Sequence, residues 1–202
     1  MVKLIGLCGF GKIGKLLYEK LIICYDVKLV KSEQDLDGIK TLIDFSSPTA
    51  QTIIDTALDK KINIIMGTTG YDLNVIEKFK EKALLNNVIF YSCCNYAYGI
   101  SIFENLCKQL KGLDIYLTEI HDISKKDCPS GTAIMIAKEF NIPLENITSI
   151  RKKGVFTSHK VIYKTNDEVI TISHVVKSKK AYVDGFLEFF KKLVKENDKR
   201  II

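Results

Sequence analysis

Thr118 to Ala133 reads TEIHDISKKDCPSGTA and concentrates residue types that can bind an anion and move a proton. His121, Lys125, Lys126 and Asp127 stand a few residues before Pro129-Ser130-Gly131-Thr132. Ala133, Ile136, Ala137 and Phe140 then recur at i, i+3, i+4, i+7, which predicts a helix capped by Ser130 or Thr132. The first N–H groups of that helix are expected to be free and to face outward. Unpaired donors and the positive dipole end coincide there and favour an anion. A lysine and a histidine beside such a hole suit a small carboxylate that must also receive a proton. A capped helix after a basic surface loop would have the same local spelling.

A second chemical signal lies at the other end of the chain. Residues 2–8 (VKLIGLC) form a short apolar run, followed at once by Gly9-Phe10-Gly11-Lys12-Ile13-Gly14. Ile13, Leu16, Leu17 and Leu21 then repeat at helical spacing. A strand, a G-x-G-x-x-G turn and a helix give the context that a dinucleotide fingerprint requires. The glycines permit a tight turn and let the backbone approach a pyrophosphate held at the helix N-terminus.

Further strands are expected at Val27–Val30, Thr41–Phe45, Ile62–Met66 and Val88–Tyr91. Between them, helices are predicted with Ala50, Ile53, Ile54, Ala57 and Leu58 inward, then Ile76, Phe79 and Ala83 inward after an Asp72 cap. Strands alternating with helices imply a parallel sheet, with ligands at the carboxyl ends of its strands. Those ends carry the glycine turn, Gly67-Thr68-Thr69-Gly70 and Ser92-Cys93-Cys94-Asn95. The second strand ends in Lys31-Ser32-Glu33-Gln34-Asp35, which offers both the acid that holds ribose hydroxyls and the base that holds an extra phosphate. NADH and NADPH therefore stay open.

After Gly99 the rhythm changes. A helix with Ile102, Phe103, Leu106, Cys107 and Leu110 inward precedes a strand at Asp114–Ile120. Val155–Tyr163 and Val169–Val176 then look like a β pair. This α+β pattern predicts a second domain over 97–181. Tyr182–Lys195, with Phe186, Phe189, Phe190 and Leu193 on one face, makes a closing helix followed by a frayed tail to Ile202.

Composition sets bounds on function. No apolar run approaches the ~20 residues that span a bilayer. The N-terminal apolar run leads into the glycine turn, not a cleavage site, so it is a strand rather than a signal peptide. The net charge of +6 is dispersed and lacks interleaved aromatic residues, which argues against a nucleic-acid partner and suits small anions. The six cysteines (Cys8, Cys24, Cys93, Cys94, Cys107, Cys128) show no C-x-x-C spacing. They read as reduced, mostly buried thiols of a cytoplasmic protein. Cys128 is expected to pack, and His159 and His174 to be packing or substrate-rim residues.

These residues carry a resemblance. Glu119-Ile120-His121 with Lys125, Asp127 and Pro129-Ser130-Gly131-Thr132-Ala133 resembles the catalytic signature of the dihydrodipicolinate reductase family. Ile43–Pro48, Gly67–Gly70, the Asn95 to Gly99 segment, then Arg151, Gly154, His159, His174 and Gly185, match further family motifs in order. The likeness spans nearly the whole chain. It implies an α/β fold: a Rossmann-type parallel-sheet domain (1–96 plus 182–202) and an α+β substrate and oligomerisation domain with a mixed sheet (97–181).

The resemblance also implies hydride transfer from NADPH or NADH to C4 of a cyclic unsaturated dicarboxylate in diaminopimelate and lysine synthesis, by a homotetramer using no metal. By position it makes His121 the acid/base residue and Lys125 the proton donor. Asp122, Lys125, Ser130, Gly131 and Thr132 fall to the substrate. Gly9, Phe10, Gly11, Lys12, Ile13, Lys31, Gly67, Thr68, Thr69, Cys93, Cys94, Asn95 and Tyr96 fall to the cofactor. The chemistry is consistent: hydride addition to a conjugated imine leaves an enamine-like anion that needs a proton, and imidazoles titrate near ~6.5. Asp122 stands where the family has a second histidine, Cys8 where it has a glycine, Lys12-Ile13 where it has Arg-Met, and Lys179 where it has an arginine. The segment between Val30 and Thr41 is shorter than in the family. A same-fold reductase of another anionic imine, or a nucleotide-binding tetramer without catalysis, are the alternatives.

Overall fold

The computed structural model describes residues 4–201, with side chains through 196. Val2 and Lys3 of the first expected strand and Ile202 of the tail lie outside the described residues. The chain divides into two compact units, Met1–Tyr96 with Tyr182–Ile202, and Ala97–Ala181.

The first unit is built on five parallel strands: β1 (Leu4–Cys8), β2 (Asp26–Val30), β3 (Thr41–Asp44), β4 (Asn63–Met66) and β5 (Phe90–Ser92), in the order β2-β1-β3-β4-β5. β3 and β4 are buried along their whole length, as a sheet covered on both faces requires. Period-two alternation then sorts their side chains. Ile5, Leu7, Ile43 and Ile65 pack with Leu17 and Leu21 of α1 (Lys12–Leu21) and with Val183, Phe186 and Phe190 of α6 (Lys180–Ile201). Cys8, Leu42, Ile64 and Met66 pack on the opposite side with α2 (Gln51–Asp59) and α3 (Leu73–Leu85). Each fully buried aliphatic side chain contributes about 1.5–3 kcal/mol relative to exposure. Asp72 caps α3, its carboxylate accepting from Asn74 N–H at 2.7 Å.

The second unit has a mixed sheet. β6 (Ile115–His121) pairs parallel to β7 (Ile147–Arg151) and antiparallel to β8 (Thr157–Lys164), which pairs antiparallel to β9 (Val169–Val176). One face is covered by α4 (Tyr98–Cys107) and α5 (Gly131–Phe140), with Phe103, Cys107, Leu117, Ile136 and Val161 at the centre of the core. Among the described residues, no helix is long and apolar enough to cross a membrane.

Several expectations need correction. α4 buries Ile100, Phe103 and Cys107, whereas Ile102 and Leu106 are exposed at 48% and 52%. The helix is rotated because its core side faces the sheet and α5. The tail expected to fray is helical through Ile201. No disulfide links the cysteines, but they are not mostly buried: Cys8 and Cys107 are buried, Cys93 and Cys94 half-buried, while Cys24 and Cys128 are exposed. Cys128 therefore does not pack as expected, because it lies in the open loop before α5. β7 was not anticipated at all.

Candidate active site

In the first unit the strands end in register. Cys8 pairs with Val30 and Asp44, Asp44 with Met66, and Met66 with Ser92. The loops leaving this row hold the residues assigned to the cofactor. Gly9–Ile13 follow β1, Lys31 follows β2, Gly67–Thr69 follow β4 and Cys93–Tyr96 follow β5.

The three glycines of the first loop meet three different demands. Gly9 has φ +93° and sits against the backbone of Phe45, where a Cβ would come within 2.2 Å. A Cβ at Gly14 would lie 2.0 Å from the Gly9 carbonyl, so this glycine sets the close packing of helix on loop. A Cβ at Gly11 would meet nothing within 4 Å. Open space beside a helix N-terminus is what a pyrophosphate needs, so this loop fits a dinucleotide.

Not every assigned residue faces open space. Thr68 is buried, and its hydroxyl accepts from Ser46 N–H at 2.8 Å, tying the β3 and β4 loops together. Tyr96 is buried against Phe45, Phe186 and Phe189, and its hydroxyl donates to Met66 O at 3.0 Å. Asn95 is also buried. Phe10 and Lys12 are exposed, and Ile13, Cys93 and Cys94 are half-buried. Asp44 is buried in the row of strand ends. Burial pushes its carboxyl up, and hydrogen bonds from Ser46 and Thr68 only partly oppose this. Burial, with Asp44 beside it, also pushes the Cys8 thiol up to about 11.

In the second unit, strand alternation assembles the chemistry. Ile115, Leu117, Glu119 and His121 are the buried residues of β6, so Glu119 and His121 continue the core face of the sheet. Register sets His159 of β8 opposite Glu119, and Arg151 of β7 beside His121. The Glu119 side chain is fully buried. Its Oε2 lies 3.3 Å from His121 Nδ1 and 4.0 Å from His159 Nε2, and its Oε1 accepts from Arg151 Nη2 at 2.9 Å. The Ser130 N–H donates to both carboxylate oxygens, at 3.1 and 3.2 Å. Burial would raise the Glu119 carboxyl, but the bonds from His121, Ser130 and Arg151 outweigh it and hold the group far below the usual carboxylate range. Burial pushes His159 down to about 3, helped by His121 and opposed by Glu119. His159 is therefore a neutral imidazole near pH ~7.

Ser130 is the N-cap of α5, its hydroxyl accepting from Ala133 N–H at 3.2 Å. Thr132 lies inside the first turn and is buried. The expectation of free N–H groups is corrected, since Ser130 N–H serves Glu119, Gly131 N–H donates to Asp127 Oδ2 at 3.3 Å and Ala133 N–H is taken by the Ser130 hydroxyl. The other oxygen of Asp127 pairs with Lys125 Nζ at 2.8 Å. Arg151 Nη2 donates to the Asp127 carbonyl, fastening the same loop. Asp122 accepts from Ser124 N–H at 3.0 Å and from Gly154 N–H at 2.9 Å, so it clasps two loops.

The structure thus gathers His121, Lys125, Ser130 and Gly131 around β6 and the N-terminus of α5. Glu119 and Arg151 complete the arrangement although sequence reasoning gave them no role. Glu119 was detectable in principle, because i and i+2 on a strand share a face. Glu119, His121 and His159 bring their ligand atoms within 4.8 Å of one another, a spacing that could hold a metal ion. Arg151 already neutralises Glu119, so a cation added there would face a guanidinium across one carboxylate.

Comparison with known proteins identifies the family. Residues 7–94 match the family description "Dihydrodipicolinate reductase, N-terminus" and residues 99–202 match "Dihydrodipicolinate reductase, C-terminus". The 4-hydroxy-tetrahydrodipicolinate reductase of Rickettsia bellii is 32% identical, over 92% of this chain and 86% of its own. That of Thermosipho africanus is 31% identical, over 91% and 88%. Among solved structures, dipicolinate-bound dihydrodipicolinate reductase from Paenisporosarcina sp. TG-14 shares the fold with a TM-score of 0.68 at 16% identity, covering 93% of this chain and 92% of that one. Aspartate dehydrogenase of Thermotoga maritima shares it with a TM-score of 0.57 at 11% identity, covering 96% and 97%. Two family models covering nearly all the residues, and relatives similar over more than nine-tenths of the chain, place this protein in the dihydrodipicolinate reductase family.

Proposed function

We propose that this protein is an oxidoreductase that uses NADPH or NADH to reduce 4-hydroxy-tetrahydrodipicolinate to tetrahydrodipicolinate, in the synthesis of diaminopimelate and lysine. In this reading the first unit holds the dinucleotide. The second holds the dicarboxylate and joins subunits into a homotetramer, working in the cytoplasm. The observation that carries the reading is the buried Glu119–His121–Arg151 assembly, with Lys125 and the Gly131 N–H at its edge.

The bound nicotinamide would supply the hydride. The chain's own residues supply charge and protons. One substrate carboxylate takes the place of Asp127 on Lys125 Nζ and the Gly131 N–H, with Thr132 completing the helix N-terminus. Ser130 contributes by holding Glu119 and capping α5. Glu119, anchored by Arg151, favours a proton on His121 Nδ1, so Nε2 is the atom that gains and loses the catalytic proton. The reduced product is an enamine-like anion, and Lys125 or His121 delivers the proton it takes up. Asp122 in place of a family histidine favours one second reading, a same-fold reductase of a different anionic imine.

The test is dinucleotide oxidation with substrate generated in situ by the preceding synthase. His121→Ala should lower turnover by about 10²-fold or more with little change in cofactor affinity. Lys125→Ala should damage both turnover and substrate binding. Wild-type rates in both variants would refute the site. Cofactor binding without turnover would move the weight to another substrate.

A further inference from the structure

We propose that Asp122 is a positioning residue that fixes where Lys125 stands, and that it does not touch the substrate; this rests on the reading of Lys125 as carboxylate ligand and proton donor. The loop from Asp122 to Pro129 has to present that lysine, yet none of its residues is buried. Its one large aliphatic side chain, Ile123, is 60% exposed. A loop without an apolar anchor keeps its shape through polar ties to its surroundings.

Asp122 makes such ties in two directions. Within the loop, its Oδ1 accepts from Ser124 N–H at 3.0 Å, and its carbonyl accepts from Lys125 N–H at 3.0 Å. These two bonds close the turn from which Lys125 departs. Outside the loop, its Oδ2 accepts from Gly154 N–H at 2.9 Å, in the turn between β7 and β8. Gly154 has φ +71°, a conformation that glycine adopts without strain. That turn is itself fixed to the site. Lys152 N–H donates to the His121 carbonyl at 3.0 Å, and Arg151 holds Glu119. Asp122 thereby refers the position of Lys125 to the strand that anchors Glu119 and His121.

Both carboxylate oxygens of Asp122 face backbone N–H groups, and a charged acceptor makes these bonds stronger than neutral ones. A dicarboxylate brought against the same group would be repelled, so the charges oppose direct ligation. Holding the lysine is a different task. Lys125 has to meet a substrate carboxylate and deliver a proton, and a misplacement of about 1 Å can cost about 10²-fold in rate. On the far side of Lys125, Arg151 Nη2 donates to the Asp127 carbonyl. The loop is thus pinned to β7 and its turn both before and after the lysine.

The test is a double-mutant cycle on the full chain: wild type, Asp122→Ala, Lys125→Ala and the double variant. The readouts are kcat on synthase-generated substrate, dipicolinate affinity and thermal melting. Asp122→Ala should lower kcat about tenfold or more and weaken dipicolinate binding. Asp122→Asn keeps one carbonyl acceptor and should recover part of both, and it carries the same cycle if Asp122→Ala does not fold. In the Lys125→Ala background, loss of Asp122 should lower neither quantity further, because its effect passes through the lysine. Any loss of melting temperature should be the same in both backgrounds. Unchanged kcat in folded Asp122→Ala, or an equal loss of kcat in both backgrounds, would overturn the inference. Tighter dipicolinate binding by Asp122→Ala would also overturn it, since the carboxylate would then stand beside the substrate. A wild-type rate in Lys125→Ala would overturn the reading of the lysine itself, and the inference with it.

Discussion

Nδ1 of His121 stands 3.3 Å from Oε2 of Glu119, two residues earlier on the same face of β6. The carboxylate is fully buried and is shared with Arg151 and the Ser130 N–H, so its position is over-determined. Such a partner orients the imidazole and favours one tautomer. Glu119→Gln should lower kcat by about 10²-fold while changing KM little. It also leaves Arg151 facing a neutral amide, a loss of about 3–5 kcal/mol of stability. Glu119→Asp retains the charge and should recover stability better than turnover. Steady-state kinetics beside thermal melting separates the two effects, and unchanged kcat in a folded Glu119→Gln protein would remove Glu119 from the mechanism.

The same cluster makes the fold acid-sensitive. His159 stays neutral in the folded chain down to about 3, whereas an unfolded histidine takes up its proton near ~6.5. Between those values the unfolded state binds more protons, so stability falls as pH falls. His174 is shifted the same way by burial. Glu119 adds to the loss at lower pH, because its carboxyl stays ionised when folded and is protonated near ~4.3 when unfolded. The urea midpoint should therefore drop steadily from pH ~6.5 downward. His159→Gln should flatten that slope above pH ~4.5 without abolishing it, since His174 remains. An equal slope in the variant would contradict the assignment.

How far the site was legible depends on the range of the interaction. β3 and β4 announce themselves as apolar runs, and the glycine loop and the Ser130 cap are local spellings that local physics enforces. β7 reads Ile-Thr-Ser-Ile-Arg, too short and polar to register as a strand, and it exists because β6 offers it a parallel edge. The role of Arg151 follows only from that pairing. Ile102 and Leu106 fit a helical stripe as well as Ile100 does, and only the position of the sheet decides which side is buried. The engagement of Asp35 by its own turn, and of Asp127 by Lys125 and Gly131, likewise needs geometry that spacing does not supply.

Asp127 occupies the two donors assigned to a substrate carboxylate. Its side chain and that of Lys125 are each 25% exposed, so the contact is accessible to a competing anion. Asp127→Asn removes the competing charge and its repulsion of an incoming dianion. Dipicolinate should then bind about fivefold more tightly. Calorimetric titration of wild type and variant would show it. Weaker binding in the variant would mean instead that Asp127 holds Lys125 in its productive position.

Two glycines of the first loop should separate folding from cofactor binding. At Gly14 an added Cβ would lie 2.0 Å from the Gly9 carbonyl, a backbone atom that cannot swing aside. Gly14→Ala should push α1 off the loop and lower stability by about 1–3 kcal/mol. At Gly11 the added methyl meets nothing within 4 Å, so Gly11→Ala should melt close to the wild type. Its methyl would stand in the space assigned to the pyrophosphate, and dinucleotide affinity should fall about tenfold or more. Thermal melting and NADPH titration on both variants give the contrast. If Gly11→Ala keeps full affinity, the pyrophosphate does not approach this turn, and the glycines serve the strand-to-helix connection alone.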